Sequence, residues 1–145
     1  MTWYTMNDIS MMTGLTTRTL RNYLRQGLLN GEKVEGVWRF TEEEYEAFLV
    51  HPAVKPGVRA KRNAIVNDFM LQDAKKENQT CVILDICMGR EEAKQAAAFF
   101  CERMKEQEDE TLQFGMEWHK NNMRIILSGS ENAVKEIMKR YYEGK

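Results

Sequence analysis

The stretch Gly14–Leu29 constrains the fold of this 145-residue chain more than any other. It predicts a helix that is entered through a turn. Gly14 gives the turn its conformational freedom, Thr16 can cap the new helix, and Gly27 suits a left-handed C-terminal stop. The residues at both ends of this segment therefore favour the start and the end of the same helix.

The two faces of this predicted helix differ in kind. At about 100° per residue, Leu20 and Leu24 share one face, which is suited to burial. The opposite face carries groups that pair well with phosphates and base edges, namely Arg18, Arg21, Asn22 and Arg25. An ordinary surface helix with solvated charges would show the same pattern, so the neighbouring segments must decide between the two interpretations.

A shorter helix is predicted just before this one, over Met6–Thr13 with Thr5 as its cap. Two short helices joined by a tight turn that contains glycine, the second with an arginine face, are typical of a helix-turn-helix. The segment Glu32–Phe40 then predicts two short strands closed around Glu35-Gly36, which would form a wing. A capping box at Thr41-Glu42-Glu43-Glu44 begins a third helix that closes a small core.

Residues 13–23, Thr-Gly-Leu-Thr-Thr-Arg-Thr-Leu-Arg-Asn-Tyr, followed by Gly-Leu-Leu, resemble the N-terminal DNA-binding domain of MerR-type transcriptional regulators. The family usually has two adjacent aromatic residues where this chain has Asn22-Tyr23. The run Trp38-Arg39-Phe40 is closer to the excisionase-type winged helices related to that family. The resemblance covers about the first 50 residues.

This resemblance implies a winged helix-turn-helix whose second helix enters the major groove and whose wing touches the backbone or the minor groove. It makes Thr17, Arg18, Arg21 and Asn22 the base-side candidates. It makes Thr16, Tyr23, Lys33 and Arg39 the phosphate candidates. With Arg25 from the arginine face, the predicted DNA-binding residues are Thr16, Thr17, Arg18, Arg21, Asn22, Tyr23, Arg25, Lys33 and Arg39. Trp38 is expected to pack within the wing.

The sequence predicts an α+β chain with three parts. Residues 1–50 form the winged helix-turn-helix. Residues 51–78 form a basic linker and a helix from about Lys61 to Lys76, which is too short for the long coiled coil that typically follows the MerR domain. Residues 79–145 follow a β-α-β-β-α order, which predicts an open antiparallel sheet with helices on one face and a second face that needs cover. This last part is expected to bind an effector or to pair subunits.

Composition narrows the function classes. Net charge is −1, but residues 1–62 hold nine Lys/Arg against seven Asp/Glu, and residues 63–145 hold twelve against fifteen. The N-terminal part is thus the more basic one.

The three cysteines lack metal-ligand spacing and are interpreted as buried thiols. No nucleophile elbow, phosphate loop or triad pattern is present, so we expect no enzyme, no cofactor and no metal site. The absence of a membrane-spanning apolar run or a signal-peptide pattern predicts a cytoplasmic protein with no membrane partner.

The leading hypothesis is a sequence-specific, DNA-binding transcriptional regulator that acts on double-stranded DNA. Its C-terminal domain pairs subunits into a homodimer, senses a small-molecule effector, or does both. An excisionase-like architectural factor that bends DNA is one alternative. The other is a ligand-binding or protein-interaction module whose helix-turn-helix no longer binds DNA, which the near-neutral charge favours.

Overall fold

The computed structural model describes residues 3–144. Within them the chain is α+β, with six helices and two three-stranded antiparallel sheets. Tertiary contacts divide it into two compact units, Met1–Lys61 and Arg62–Lys145. The boundary falls inside the fourth helix, in the segment that the sequence assigned to a linker and helix.

The first unit contains the predicted helix-turn-helix followed by a hairpin and a third helix. Its elements are β1 (Tyr4–Thr5), α1 (Met6–Thr13), α2 (Thr17–Arg25), β2 (Glu32–Val34), β3 (Val37–Phe40), α3 (Glu42–Val50) and the beginning of α4 (Lys55–Leu71). The small sheet has the order β1-β3-β2. Its core contains Ile9, Leu20, Phe40 and Phe48, each with no exposed surface. The apolar faces predicted for these helices therefore meet in one cluster.

Local capping explains where these helices begin. The Thr5 hydroxyl accepts from the Asp8 N–H at 3.1 Å, and the Asp8 carboxylate accepts from the Thr5 N–H at 2.9 Å. Thr41 and Glu44 form the same reciprocal pair at the start of α3, as predicted. Gly14 follows α1 with φ +77°, in the left-handed region. These capping predictions are confirmed.

The fourth helix spans Lys55–Leu71 rather than about Lys61 to Lys76, so both predicted ends of this helix are wrong. Pro56 lies in the first helical turn, where a backbone N–H has no partner within the helix and its loss costs little. Val54 and Val58 are buried in the first unit, and this burial favours the early start.

The second unit has the predicted β-α-β-β-α order after the end of α4. Its elements are β4 (Gln79–Cys87), α5 (Arg90–Glu106), β5 (Gln113–His119), β6 (Asn122–Ser130) and α6 (Glu131–Glu143). The sheet order is β4-β6-β5, with β6 in the centre. Lys120 and Asn121, both with positive φ, make the tight turn between β5 and β6. Ser130 caps α6, because its hydroxyl accepts from the Ala133 N–H at 3.3 Å.

The two faces of this second sheet are covered differently. On one face, the ring of Phe100 from α5 stacks on that of Phe114 from β5 at a centroid distance of 5.6 Å, and Tyr141 of α6 joins them. On the other face lies α4, because a Cβ added to Gly115 would come within 3.2 Å of the Arg62 side chain and 3.3 Å of Ile65. The face that needed cover thus receives the C-terminal half of α4.

The cover provided by α4 does not extend over all of β4. Ile83, on the same face as Gly115, is 50% exposed. Cys87 is exposed and Cys81 is half-buried, whereas Cys101 is buried. The prediction of three buried thiols is therefore wrong for Cys87, because it lies at the end of an outer strand.

Candidate nucleic-acid interface

The polar face of α2 is exposed as the sequence predicted. Arg18, Arg21, Asn22 and Arg25 are all exposed, whereas Leu20 has no exposed surface. Arg25 Nη1 donates to Asn22 Oδ1 at 3.0 Å, one turn apart on the helix. This bond links the last arginine of the face to the amide at its centre.

The hydroxyls at the start of α2 serve the helix itself. Thr16 accepts from the Thr19 N–H at 3.2 Å, and its hydroxyl donates to Thr19 Oγ1 at 3.0 Å. Thr16 is exposed and Thr17 is half-buried. The structure thus places Thr16 at the cap that begins α2, where its first role is to fix the N-terminus of the helix.

The ring of Tyr23 packs inward rather than standing free. It meets the ring of Phe48 edge-on at a centroid distance of 5.5 Å, and the side chain is half-buried. This contact joins α2 to α3. Only the outer part of the Tyr23 side chain is left for a phosphate contact.

The β2–β3 hairpin carries the remaining two predicted residues, Lys33 and Arg39. Lys33 is exposed, and its Nζ lies 6.0 Å from the centroid of the Trp38 ring, its partner across the hairpin. Arg39 is half-buried, with its guanidinium 4.1 Å from the centroid of the Trp3 ring. Trp38 stacks on Phe40 at 6.3 Å, in line with the expectation that it packs within the hairpin.

Trp3 is a residue that the sequence analysis missed. It reaches Arg39 because β1 pairs with β3, with Thr5 opposite Arg39 in the register. The sequence offers no short-range signal for this contact.

The basic residues after the hairpin fall in different places. Arg59 and Lys61 are exposed on α4. Arg62 is buried in the second unit, with Nη1 3.7 Å from Glu117 Oε2. Of these three basic residues, Arg59 and Lys61 are therefore accessible to DNA, and Arg62 is not.

The second unit contains an open cavity of about 490 Å³ between α4 and the sheet. Its lining includes Ile65, Phe69, Gln72, Gln79, Gln113 and Ser128. Next to Ser128 on the sheet, burial raises the pKa of the Cys81 thiol, while a hydrogen bond with Ser128 and the charge of Lys75 oppose that rise. The cavity thus combines amide and hydroxyl groups with the apolar side chains of Ile65 and Phe69, and charged residues also line it, namely Asp68, Lys75, Lys76 and Glu77.

Two carboxylates of the second unit are held in their charged form. Asp109 accepts from the Thr111 hydroxyl at 2.6 Å, from the Thr111 N–H at 2.9 Å and from the Ser130 N–H at 3.1 Å. These hydrogen bonds lower its pKa to about 2. Asp85 binds Arg124 through two bonds of 2.8 and 2.9 Å, which lower the pKa of Asp85. The charged form of each carboxylate is therefore stabilised by hydrogen bonds within the second unit.

Residues 4–52 match a family model described as MerR HTH family regulatory protein. The N-terminal domain is of the MerR type. The match covers the helix-turn-helix, the hairpin and α3, about a third of the chain, and it indicates a DNA-binding regulatory domain. Comparisons with curated proteins and with solved structures found no match.

The rest of the described chain adds two observations to the MerR-type domain. Within residues 3–144, no helix is both long and apolar enough to cross a membrane. In the same range, no three His, Cys, Asp or Glu side chains come together in a group that could hold a metal ion.

Proposed function

We propose that this protein is a sequence-specific DNA-binding transcriptional regulator, with α2 of its MerR-type domain in the major groove. The observation that carries the proposal is the exposed face of Arg18, Arg21, Asn22 and Arg25 opposite the buried Leu20. Guanidinium and amide groups on a major-groove helix can form bidentate hydrogen bonds with base edges. Thr17 adds a hydroxyl at the beginning of the same helix.

The β2–β3 hairpin acts in this proposal as a wing that holds the DNA backbone. Lys33 is exposed on it, and the ring of Trp3 supports the guanidinium of Arg39. A stacked guanidinium loses less conformational freedom when it meets a phosphate. Thr16 and the outer part of Tyr23 complete the set of backbone contacts.

The near-neutral charge of the chain shapes how such a protein would bind. With a net charge of −1, general attraction to DNA is small, and affinity depends on the local face of α2 and on the wing. One winged helix covers little DNA, so specific affinity is best reached by two copies on one site. We therefore propose that the protein binds as a homodimer. We further propose that it is cytoplasmic and non-catalytic.

The second unit serves in this proposal to pair subunits and to bind an effector. Its cavity of about 490 Å³ lies in the range of small-molecule sites, roughly 300–1,000 Å³. The amides of Gln72, Gln79 and Gln113 can orient a polar ligand against the apolar side chains of Ile65 and Phe69.

Fluorescence anisotropy tests the proposal directly. The full chain is titrated against DNA from upstream of its own gene and against a scrambled duplex, at two salt concentrations. We expect tighter binding to the upstream DNA and weaker binding as salt rises. Arg18→Ala should lose about 1–3 kcal/mol, which is on the order of 5- to 150-fold in Kd.

Lys135→Ala is the matched control for this experiment. It removes one positive charge from a 71% exposed side chain of the second unit, and it should leave binding unchanged. Equal affinity of the wild type and Arg18→Ala for the upstream duplex would remove Arg18 from the interface. Negligible affinity for both duplexes at low salt would favour the interaction-module alternative. Strong bending with cooperative binding to tandem sites would favour the excisionase-like one.

A further inference from the structure

The outer strand β4 presents a long backbone edge to solvent. It pairs with β6 on one side, and no strand within residues 3–144 pairs with its other side. It has nine residues, longer than the usual strand of about 5–6 residues. An exposed edge of this length offers a row of N–H and C=O groups to any other strand.

β4 also lacks the features by which proteins protect such edges. It contains no proline and no lysine. Its only charged residue, Asp85, is held by two hydrogen bonds to Arg124 of the neighbouring strand β6. Ile83 at its centre is 50% exposed. A β-branched apolar side chain of this kind is favoured in strands that are paired and packed, so its exposure at an edge is unusual. The edge is therefore built to be paired.

We propose that β4 is the surface through which two copies of this chain associate, by antiparallel pairing of β4 with β4 of the second copy. The two sheets would then form one continuous six-stranded sheet. The inference rests on the proposed function only for the role of the dimer, because the pairing itself involves no residue of the DNA-binding domain.

The sequence of β4 fits this two-fold arrangement. Ile83 is the midpoint of Gln79–Cys87, so a two-fold axis at Ile83 aligns all nine residues of both strands. Each Asp85 then faces Cys81 of the other copy, and no like charges oppose each other. A ladder of this length holds about eight to ten backbone hydrogen bonds. Because the contact is isologous, it closes after two copies instead of continuing into a fibre.

The other edge of the sheet is less suited to this pairing. β5 has seven residues, with Gly115 at its third position and a glutamate and a histidine near its end. Arg62 of α4 lies against β5, with an ion pair to Glu117. The free apolar residues of α4, Met70 and Leu71, are consecutive and therefore point in different directions around the helix. We expect β4, not β5 or α4, to form the contact.

Sedimentation velocity of the full chain, in the absence of DNA, tests the association. The wild type should dimerise, and Ile83→Lys should raise the dissociation constant at least about tenfold, because two ammonium groups would meet at the symmetry axis. Met70→Lys, a 74% exposed residue on α4, is the matched control and should dimerise as the wild type does. Circular dichroism should show both variants folded.

Cross-linking tests the register independently. In a background with Cys81→Ser and Cys87→Ser, Ile83→Cys should form a covalent dimer with a short bis-maleimide, and Met70→Cys should not. A monomeric wild type at micromolar concentrations would overturn the proposal. So would a dimer that Ile83→Lys leaves intact or that Met70→Lys dissociates. Because no DNA is present, a β4 dimer that fails to bind any duplex would refute the proposed function and leave this inference standing.

Discussion

Gly14 offers a sharp test of the geometry of the helix-turn-helix, because Gly27 provides a matched comparison. Both have φ +77°. A Cβ added at Gly14 would lie 3.1 Å from the Cβ of Lys61, whereas one added at Gly27 would meet nothing within 4 Å. Gly14→Ala and Gly27→Ala therefore share the cost of the left-handed backbone, and only the first adds a steric contact.

The expected magnitudes follow from these two contributions. The left-handed conformation costs a residue with a Cβ about 1–2 kcal/mol. Replacing glycine by alanine also reduces the conformational entropy of the unfolded chain, which offsets about 0.4–1 kcal/mol of this cost. Gly27→Ala should thus lower the free energy of unfolding by about 1 kcal/mol. Gly14→Ala should lower it by about 1 kcal/mol more, the lower range of overpacking costs, because a contact of 3.1 Å requires a displacement of only a few tenths of an ångström.

Hydrogen exchange of amides in α1 and α2 is the suitable assay, because it reports the first unit by itself. Adding Lys61→Ala to Gly14→Ala should not restore stability, since alanine keeps the Cβ that makes the contact. Equal losses for the two glycine variants would refute the steric argument. Recovery upon Lys61→Ala would show that the outer part of the lysine, not its Cβ, is responsible.

Two further predictions follow from polar and stacked side chains. The pKa of Asp109 is about 2 in the folded chain against an ordinary 3.8, so its carboxylate stabilises the fold above about pH 4, and this contribution is lost as pH falls towards 2. In urea unfolding, Asp109→Asn should therefore have a lower free energy of unfolding at pH 7, and this free energy should change less between about pH 4 and about pH 2 than that of the wild type. Parallel plots of the free energy of unfolding against pH for the two proteins would contradict this. Trp3→Ala should weaken DNA binding a few-fold, since stacking on Arg39 is worth about 0.5–1 kcal/mol, and leave the salt dependence unchanged. Arg39→Ala should reduce both affinity and salt dependence, and identical behaviour of the two variants in anisotropy titrations would argue against the support role of Trp3.

The features that the sequence predicted well depend on short-range chemistry. The predicted capping box of Thr41 and Glu44 joins residues three positions apart, and Thr5 caps α1, as predicted, through the N–H of a residue at the same spacing. The burial of Leu20 follows from helical periodicity. Such patterns are complete within one turn of chain and can be recognised without the rest of the fold.

The features that the sequence did not predict depend on contacts between distant segments. The position of Trp3 against Arg39 requires the pairing of β1 with β3. The start of α4 at Lys55, with Pro56 in its first turn, was missed because it depends on the burial of Val54 and Val58 in the first unit. The placement of α4 on the second sheet was missed because periodicity shows which face of a helix is apolar, not which surface it covers.

The candidate interface shows the same division. Helical spacing predicts that Arg18, Arg21 and Arg25 share a face, and the structure has all three exposed. It does not predict that the ring of Tyr23 packs on Phe48, because that contact depends on where α3 returns in the fold.

The hydrogen bond between Arg25 and Asn22 has a consequence for the DNA sequence that α2 can read. A free asparagine amide recognises adenine by accepting from its N6 amino group and donating to N7. Here one of the two lone pairs of the Asn22 carbonyl oxygen is occupied by Arg25, which halves its capacity to accept from a base, while the Asn22 amide and the Arg25 guanidinium keep further N–H groups for outward donation. Outward donors match the two acceptors of guanine, O6 and N7. Base pairs facing this end of α2 should therefore be G·C, and replacing them with A·T should weaken binding of the wild type more than that of Arg25→Ala.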